Sequence, residues 1–194
     1  ILFNLFFYNE IREFLESQGM EYRIVPISSE HDNDICYIIK NVGVEFGAVG
    51  EGFGPSDDEV LEMSKYYNPA FKSKYLILLL DGRVVGGCGL AAFHGSKTVC
   101  ELRKLFLLPE ARGRGFGKTI AQKILKHAVS FGYTQCYLDT LSSMKSAIHL
   151  YEDLGFSHLS KPVSSLTNSM IKIQLISAMA KPKTLIAENT PFFK

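Results

Sequence analysis

The sequence predicts an α/β fold in which one mixed sheet carries helices on both faces. An apolar strand over residues 75–80 is followed by Asp81-Gly82, a strong hairpin signal, and by a second strand over 84–92. The three glycines of that second strand predict a bulge or a closely approaching ligand. Beyond the hairpin, strand-like and helix-like segments alternate, and a glycine-rich turn at 112–118 joins a strand to a helix.

The remaining elements follow from apolar spacing and from residues that cap helices. Ser29 and Ser143 each precede a run with apolar residues at helical spacing, so each is expected to cap a helix. Ser56 and Glu59 have the spacing of a capping box and predict a further helix that runs to Tyr66. In chain order, the predicted elements are strand 22–26, helix 29–42, helix 56–66, strands 75–80, 84–92 and 99–108, helix 115–131, strand 136–139, helix 143–154, and strands 156–159 and 170–175.

The domain organisation follows from the length and from where this pattern begins and ends. The 194 residues and the hydrophobic fraction of 46% suit one domain with a full core, placed over residues 22–176. Residues 1–21 are predicted to be an amphipathic helical extension. It could pack on the domain, which is favoured, on a second copy in a homodimer, or on a membrane surface. Residues 177–194 are expected to be a loose tail.

Composition narrows the partners and the compartment. The net charge of +1 gives no overall attraction to nucleic acid or an anionic membrane, and the apolar stretch 1–8 is too short for a membrane span. The four cysteines form no Cys-x-x-Cys pair, and no histidine lies beside them at metal-ligand spacing, so no metal is expected. Free thiols predict a reducing, cytoplasmic location.

The turn at 112–118 predicts an anion-binding site. It places Arg112, Arg114 and Lys118 among three glycines at the start of a helix. A helix N-terminus already carries about half a positive charge, so a cation cluster there is unfavourable unless an anion lies within it. Glycines allow backbone N–H groups to approach that anion closely. The segment therefore predicts a phosphate or pyrophosphate ligand.

Two nucleotide-binding motifs fail at this turn by one position each. The phosphate loop of nucleotide hydrolases ends in Gly-Lys-Ser/Thr, which Gly117-Lys118-Thr119 supplies, but Arg112 stands where its first glycine is needed. The dinucleotide fingerprint needs Gly-x-Gly-x-x-Gly, whereas the spacing that starts at Gly113 is Gly-x-Gly-x-Gly. Both motifs are therefore disfavoured.

A third motif fits the turn. Arg112-x-x-Gly115-x-Gly117 resembles the Arg/Gln-x-x-Gly-x-Gly/Ala acetyl-coenzyme A motif of the GCN5-related N-acetyltransferase (GNAT) superfamily. The segments on both sides resemble the same family, over 100–111 for its fourth strand and bulge, and over 138–156 for its second signature. The similarity covers roughly residues 22–176, the extent of the predicted domain.

The resemblance implies a GNAT fold, with about seven strands in a mixed, mostly antiparallel sheet that splays at the fourth and fifth strands. It implies acetyl-coenzyme A (acetyl-CoA) as co-substrate, with its pyrophosphate at the glycine turn and its pantetheine arm along the fourth strand. Many family members carry Asn at the position of Met144, so that side-chain contact is not transferred. The expected cofactor-binding residues are Leu105, Phe106, Leu107, Arg112, Gly113, Arg114, Gly115, Phe116, Gly117 and Lys118.

Acetyl transfer to an amine needs a neutral amine, stabilisation of the carbonyl oxygen, and a proton for the leaving thiolate. On the resemblance, Tyr151 occupies the family's usual acid position. Glu101 lies eleven residues before Arg112, as does the catalytic glutamate of histone-acetylating members, and is the candidate base. It could instead bind the substrate ammonium or pair with a neighbouring cation. Glu45 and Asp139 are weaker candidates.

Two functions are compatible with these residues. The first is an acetyl-CoA-dependent N-acetyltransferase that acts on a small-molecule amine by direct attack in a ternary complex. The second is a non-catalytic acyl-CoA-binding module that senses or regulates. The tyrosine at position 151 favours the enzyme, and no segment resembles a peptide- or nucleosome-docking module.

Overall fold

The computed structural model describes residues 19–50, 53–160 and 172–179. Residues 1–18 of the predicted N-terminal helix and the end of the predicted tail lie outside the described residues. The strands are β1 (Tyr22–Pro26), β2 (Lys74–Leu80), β3 (Arg83–Ala92), β4 (Val99–Leu107), β5 (Gln135–Leu141), β6 (Ser157–His158) and β7 (Lys172–Ala178), and the helices are α1 (Asp32–Glu45), α2 (Met63–Tyr66), α3 (Phe116–Ser130) and α4 (Lys145–Asp153).

These strands form one sheet in the order β1-β2-β3-β4-β5-β7-β6. β4 and β5 run parallel, and the other neighbouring strands are antiparallel. The parallel pair arises because α3 carries the chain from the end of β4 back to the start of β5. The predicted mixed, mostly antiparallel sheet of about seven strands is therefore confirmed.

The central strand β2 shows how the sheet holds helices on both faces. Tyr75 and Ile77 pack in one apolar core with α1, whereas Leu76 and Leu78 pack in a second core with α3. None of these four residues is more than 4% exposed. A strand that is covered on both faces needs apolar residues at every position, which explains the unbroken apolar run that the sequence shows.

Strands β4 and β5 separate partway along their length. Their pairing runs from Val99 opposite Gln135 to Glu101 opposite Tyr137. Beyond that point β5 continues to pair with β7 on its far side, whereas residues 102–107 of β4 pair with β3. The edge of β4 that faces β5 therefore keeps backbone groups without a strand partner. The predicted splay at the fourth and fifth strands is confirmed.

A bulge interrupts β4 next to this edge. Gly87 lies opposite Phe106 and Gly89 lies opposite Arg103, so two residues of β4 face the one β3 residue between those glycines. The first of the two, Lys104, has a φ of 51°, which is the left-handed region. The bulge is one of the two outcomes that the glycines of β3 predict.

Two helix starts differ from the prediction by one residue. Ser28, rather than Ser29, is the N-cap residue of the first helical turn. Its backbone N–H donates a hydrogen bond to Nδ1 of His31, and its hydroxyl oxygen lies 2.8 Å from the same nitrogen. Met144, rather than Ser143, precedes α4, and no side chain caps that helix.

The helix predicted over 56–66 is broken into short pieces. A 3-10 turn at Asp58–Leu61 is followed by the single α-turn of α2, and Glu62 between them has a φ of −143° and a ψ of 53°. The predicted capping box is absent, because the Glu59 carboxylate is bound 2.6 Å from Lys104 Nζ instead. An ion pair with a distant strand therefore replaces a local helix cap.

Candidate active site

The glycine turn begins α3 with a row of backbone donors. Gly115 is the N-cap residue with a φ of 78°, and Gly113 has a φ of 70°, so both positions need the left-handed conformation that glycine adopts freely. The first N–H groups of a helix have no acceptor within the helix. In the described part of the chain, the N–H groups of residues 113–117 have no other acceptor either. They are the kind of donor row that an anion needs.

Arg112 turns its side chain away from this row and toward α1. Its guanidinium binds both carboxylate oxygens of Glu45, the Nη2–Oε2 distance being 2.6 Å, and its Nε donates to the Leu107 carbonyl at 2.8 Å. It also lies 5.2 Å from the ring centre of Phe46. The hydrogen bond from Arg112 holds the pKa of Glu45 below its ordinary value. Arg112 thus fastens the turn to α1.

The other two cations of the turn are placed differently. Arg114 contacts the Met20 sulfur at 3.7 Å, and the described residues offer it no carboxylate. Lys118 lies 3.4 Å from Asp153, with 36% of its side chain exposed. Both residues belong to the segment that carries the amide row, so they add positive charge where an anion would bind.

Gly117 joins the amide row to α4. A Cβ atom at this position would lie 3.3 Å from Leu150 Cδ2 and 3.6 Å from Leu107 Cδ1, so glycine allows β4, α3 and α4 to meet here. Leu150 directly precedes Tyr151. The helix that begins at the candidate anion site therefore packs against the helix that carries the candidate acid.

The gap between β4 and β5 is a cleft of about 280 Å³, called the splay cleft below. Residues 101–106 of β4 form one wall, residues 139–141 of β5 form part of the other, and Tyr151 also lines it. Leu105 and Phe106, two of the residues predicted to meet the cofactor, therefore lie in this cleft. Leu107 does not line it and instead packs near the start of α3.

Tyr151 is buried at the splay cleft, with 6% of its surface exposed, and its ring packs at a 61° angle against Phe156. Burial raises the pKa of its hydroxyl well above the ordinary value, so the hydroxyl stays protonated at neutral pH. Within the described residues no hydrogen bond engages it. Tyr151 can therefore donate a proton or a hydrogen bond to a bound ligand.

Two of the candidate bases, Glu101 and Asp139, line the same cleft. Glu101 accepts a hydrogen bond from Arg103 Nε at 2.7 Å, and Asp139 accepts one from the Tyr137 hydroxyl. Because Glu101 and Tyr137 are paired across the two strands, the carboxylates lie on adjacent strands just where these separate. Burial, followed by the bond to Asp139, raises the pKa of Tyr137. Of the candidate bases, these two lie in the cleft, whereas Glu45 is engaged by Arg112.

A buried ion cluster next to the cleft was missed at the sequence level. The Lys104 side chain is 4% exposed and lies 2.7 Å from Asp57 and 2.6 Å from Glu59. Glu59 also accepts a hydrogen bond from the Tyr67 hydroxyl at 3.0 Å and lies 3.7 Å from Arg103. The sequence did carry a signal for this cluster, namely the two adjacent cations Arg103 and Lys104 inside an apolar strand. Charges that are buried in this way need partners of opposite charge.

The cluster makes the stability of the fold sensitive to acid. Burial alone would raise the pKa of Glu59, but the charge of Lys104 and the weaker charge of Arg103 outweigh it and hold this pKa below its ordinary value of 4.5. A carboxyl whose pKa is lower in the folded state stabilises the fold at any pH above its unfolded-state pKa. This stabilisation is lost as the pH falls through its folded-state pKa. Urea denaturation at pH 6 and at about pH 3.5 measures how much unfolding free energy the protein loses on acidification. This loss should be roughly 1 kcal/mol smaller in Glu59→Gln than in the wild type.

Glu62→Gln is the matched control, because Glu62 is an exposed neighbour whose one ion-pair partner among the described residues is Lys65, at the surface. This variant should show the acid loss of the wild type. If Glu59→Gln loses as much unfolding free energy as the wild type over the same range, the buried pair is not the source of the acid sensitivity.

The splayed sheet and the glycine turn define the class of the molecule, which is that of the GNAT acetyltransferases. The sequence model of the acetyltransferase (GNAT) family matches residues 48–156, and the chain belongs to this family. The GNAT superfamily phosphinothricin acetyltransferase of Sinorhizobium meliloti, crystallised with acetyl-CoA, has the same fold. Its TM-score is 0.64 at 18% identity, over 87% of this chain and 97% of that one.

Curated relatives agree with this assignment. The uncharacterized N-acetyltransferase YjgM of Escherichia coli is 36% identical over 127 residues, which are 64% of this chain and 75% of that protein. Human N-acetylaspartate synthetase is 33% identical over 101 residues, which are 52% of this chain and 33% of that protein. In the described ranges, no helix is long and apolar enough to cross a membrane.

Proposed function

We propose that this protein transfers the acetyl group of acetyl-CoA to a primary amine of a small molecule, by direct attack while both substrates are bound. The observation that carries the proposal is the splay cleft. It brings together an open strand edge, a protonated tyrosine and two carboxylates, close to a helix start with a row of available amides. Membership of the GNAT family supports the reaction type.

The residues present fit acetyl-CoA at two places. The N–H groups of residues 113–117, with Arg114 and Lys118, would hold the pyrophosphate by charge-assisted hydrogen bonds. The open edge of β4 at 105–107 would pair with the amides of the pantetheine arm, as an added strand pairs with a sheet edge. This arrangement directs the thioester into the splay cleft, where a β4 amide would stabilise charge on its carbonyl oxygen.

Tyr151 would supply the proton for the leaving group. Its hydroxyl is protonated at neutral pH and lines the cleft, so it can donate to the sulfur as the carbon–sulfur bond breaks. In the same step the amine nitrogen bonds to the acetyl carbon and gives up its extra proton to a base. The products are the N-acetyl amide and the free thiol of CoA.

Glu101 is proposed as that base, acting through water. At pH 7, Glu101→Gln should lower kcat about tenfold or more, because most of the amine is then protonated and needs a base. The loss should shrink as the pH approaches the pKa of the free amine, which a pH–rate profile measures. Asp139→Asn, which removes the carboxylate that β5 contributes to the cleft, should lower kcat less. A loss that is the same at every pH would show that Glu101 only binds the substrate.

The charges around the cleft support an acceptor that carries a carboxylate beside its amine. Glu101 and Asp139 are placed to attract an ammonium group, and Arg103 next to them to attract a carboxylate. Arg103 is 30% exposed on its side chain, so a ligand can reach it. The similarity to an N-acetylaspartate synthetase supports the same substrate class, that of the amino acids.

A panel of amines tests the proposal. Wild-type protein with acetyl-CoA is offered amino acids, simple alkylamines and polyamines, and the free thiol released is recorded. The proposal expects amine-dependent thiol release, fastest with amino acids. If CoA binds but no amine supports turnover, the protein is instead a non-catalytic acyl-CoA-binding module. Turnover with alkylamines and none with amino acids would contradict the acceptor class alone.

A further inference from the structure

Tyr75 connects β2 to the bulge of β4, although β3 lies between these strands. Its ring is 1% exposed, and its hydroxyl donates to the backbone carbonyl of Lys104 at 2.8 Å. Lys104 is the bulge residue with the left-handed φ of 51°. A buried side chain from the second strand therefore holds the backbone carbonyl of the first bulge residue.

Two glycines of β3 make room for this contact. A Cβ atom at Gly87 would lie 2.3 Å from Tyr75 Cε1 and 2.7 Å from its hydroxyl oxygen. A Cβ atom at Gly89 would lie 2.5 Å from Tyr75 Cδ2. Neither position could hold a larger residue unless the ring moved. Gly87 and Gly89 therefore form a slot across β3 that the Tyr75 ring fills, and Tyr67 closes one side with its ring centre 5.2 Å away.

The bulge needs such support. A non-glycine residue in the left-handed region costs roughly 1 kcal/mol or more, so this conformation persists only where neighbouring contacts favour it. A hydrogen bond to the bulge carbonyl supplies one such contact, and the buried Lys104 side chain, bound to Asp57 and Glu59, supplies another. The two contacts hold the backbone and the side chain of the same residue.

The bulge lies next to the residues of β4 that are proposed to contact the thioester of the donor. Leu105 and Phe106 follow Lys104 directly and line the splay cleft. A rotation of the peptide group after Lys104 would turn the N–H of Leu105, because the carbonyl that Tyr75 holds and that N–H belong to one planar unit. Fixing the carbonyl therefore fixes the direction of the next amide.

We propose that Tyr75 is a positioning residue, which aims the amide of Leu105 at the thioester carbonyl through its hydrogen bond to the bulge. This inference rests on the proposed function, since it assigns that amide to the acetyl end of the donor. The inference treats the binding of the acetyl end and the binding of the pyrophosphate as two independent parts of donor binding. Tyr75 acts on the acetyl end, whereas the amide row at 113–117 holds the pyrophosphate independently of it.

Tyr75→Phe tests the proposal, because it keeps the ring in the slot and removes only the hydroxyl. We expect kcat to fall about tenfold, since a small misplacement of reacting groups is costly, while the Kd for CoA stays within about twofold. The ratio of the Kd for CoA to the Kd for acetyl-CoA should fall toward one, because the carbonyl contact is weakened. Backbone amide NMR shifts should change at Leu105 and Phe106 and remain unchanged at 113–117.

Tyr133→Phe is the matched control, because Tyr133 is a buried tyrosine whose hydroxyl also donates to a backbone carbonyl, that of Lys72, away from the cleft. It should leave all these values unchanged. The proposal is overturned if kcat in Tyr75→Phe matches the wild type, if the Kd for CoA rises as much as kcat falls, or if the shifts of Leu105 and Phe106 do not move. The affinity ratio and the NMR shifts need no turnover, so they decide the role of Tyr75 even if no amine is acetylated.

Discussion

Tyr151→Phe is expected to lower kcat about 100-fold and to leave the Kd for acetyl-CoA within about twofold of the wild type. Tyr151 is 6% exposed and lines the splay cleft, its hydroxyl stays protonated because burial raises its pKa, and no hydrogen bond engages it in the described residues. Removing it takes away the proton donor for the thiolate and little of the packing, since phenylalanine retains the ring against Phe156. Steady-state kinetics and calorimetric titration measure the two quantities.

The loss should also depend on the leaving group. A thioester whose thiol has a lower pKa needs less help from an acid, so Tyr151→Phe should be less impaired with such a donor. Tyr133→Phe again serves as the control, with an unchanged kcat. Wild-type kcat in Tyr151→Phe would remove the acid role, and an equal loss of acetyl-CoA affinity would mean that the hydroxyl only binds the donor.

The double variant Arg114→Ala/Lys118→Ala should raise the Kd for CoA on the order of 100-fold. A hydrogen bond to a charged group contributes about 1.5–3 kcal/mol, and each 1.4 kcal/mol is a factor of ten in affinity. Both cations belong to the segment 112–118, which carries the amide row. Titration calorimetry should show that the double variant loses affinity for CoA but not for pantetheine, which carries no phosphate.

Lys123→Ala/Lys126→Ala removes the same charge from α3, beyond its first turn, and is the matched control. It should change the Kd for CoA by less than about threefold, because a general loss of positive charge acts weakly over distance in salt. If both double variants weaken CoA binding equally, the local anion site is contradicted in favour of a diffuse charge effect.

Short-range patterns in the sequence predicted most of the strands of the sheet. The hairpin around Asp81-Gly82 and the apolar run before it are strong short-range signals, and they appear as β2 and β3. The glycines of β3 predicted a bulge, which the register confirms. These features depend on neighbours along the chain, so the sequence alone carries them. The splay came from the family resemblance, because a gap between two strands has no local signature.

Long-range ion pairs were the main source of error. The Ser56–Glu59 capping box was predicted from spacing, but Glu59 binds Lys104, which is far away along the chain. The guanidinium of Arg112, which is predicted to contact the anion, also forms a long-range pair, with Glu45. Spacing cannot show which charges a fold brings together, because such pairs form only when separate elements pack. A role of Arg112 in holding the cofactor stays a prediction.

Arg112 connects the glycine turn to the helix that leads into one wall of the splay cleft. It binds Glu45 at the end of α1, and the segment after α1 contributes Phe46, residues 53–55 and Asp57 to the cleft.

Tracing the acetyl group tests the central claim most directly. Wild-type protein is mixed with acetyl-CoA that carries an isotopic label in the acetyl group, together with an amino-acid mixture, and the products are identified by mass spectrometry. Direct transfer predicts that the label appears in an N-acetyl amide in equal amount to the CoA thiol released, with none on the protein. Label that remains entirely on CoA, or that accumulates on a protein side chain, would contradict the account.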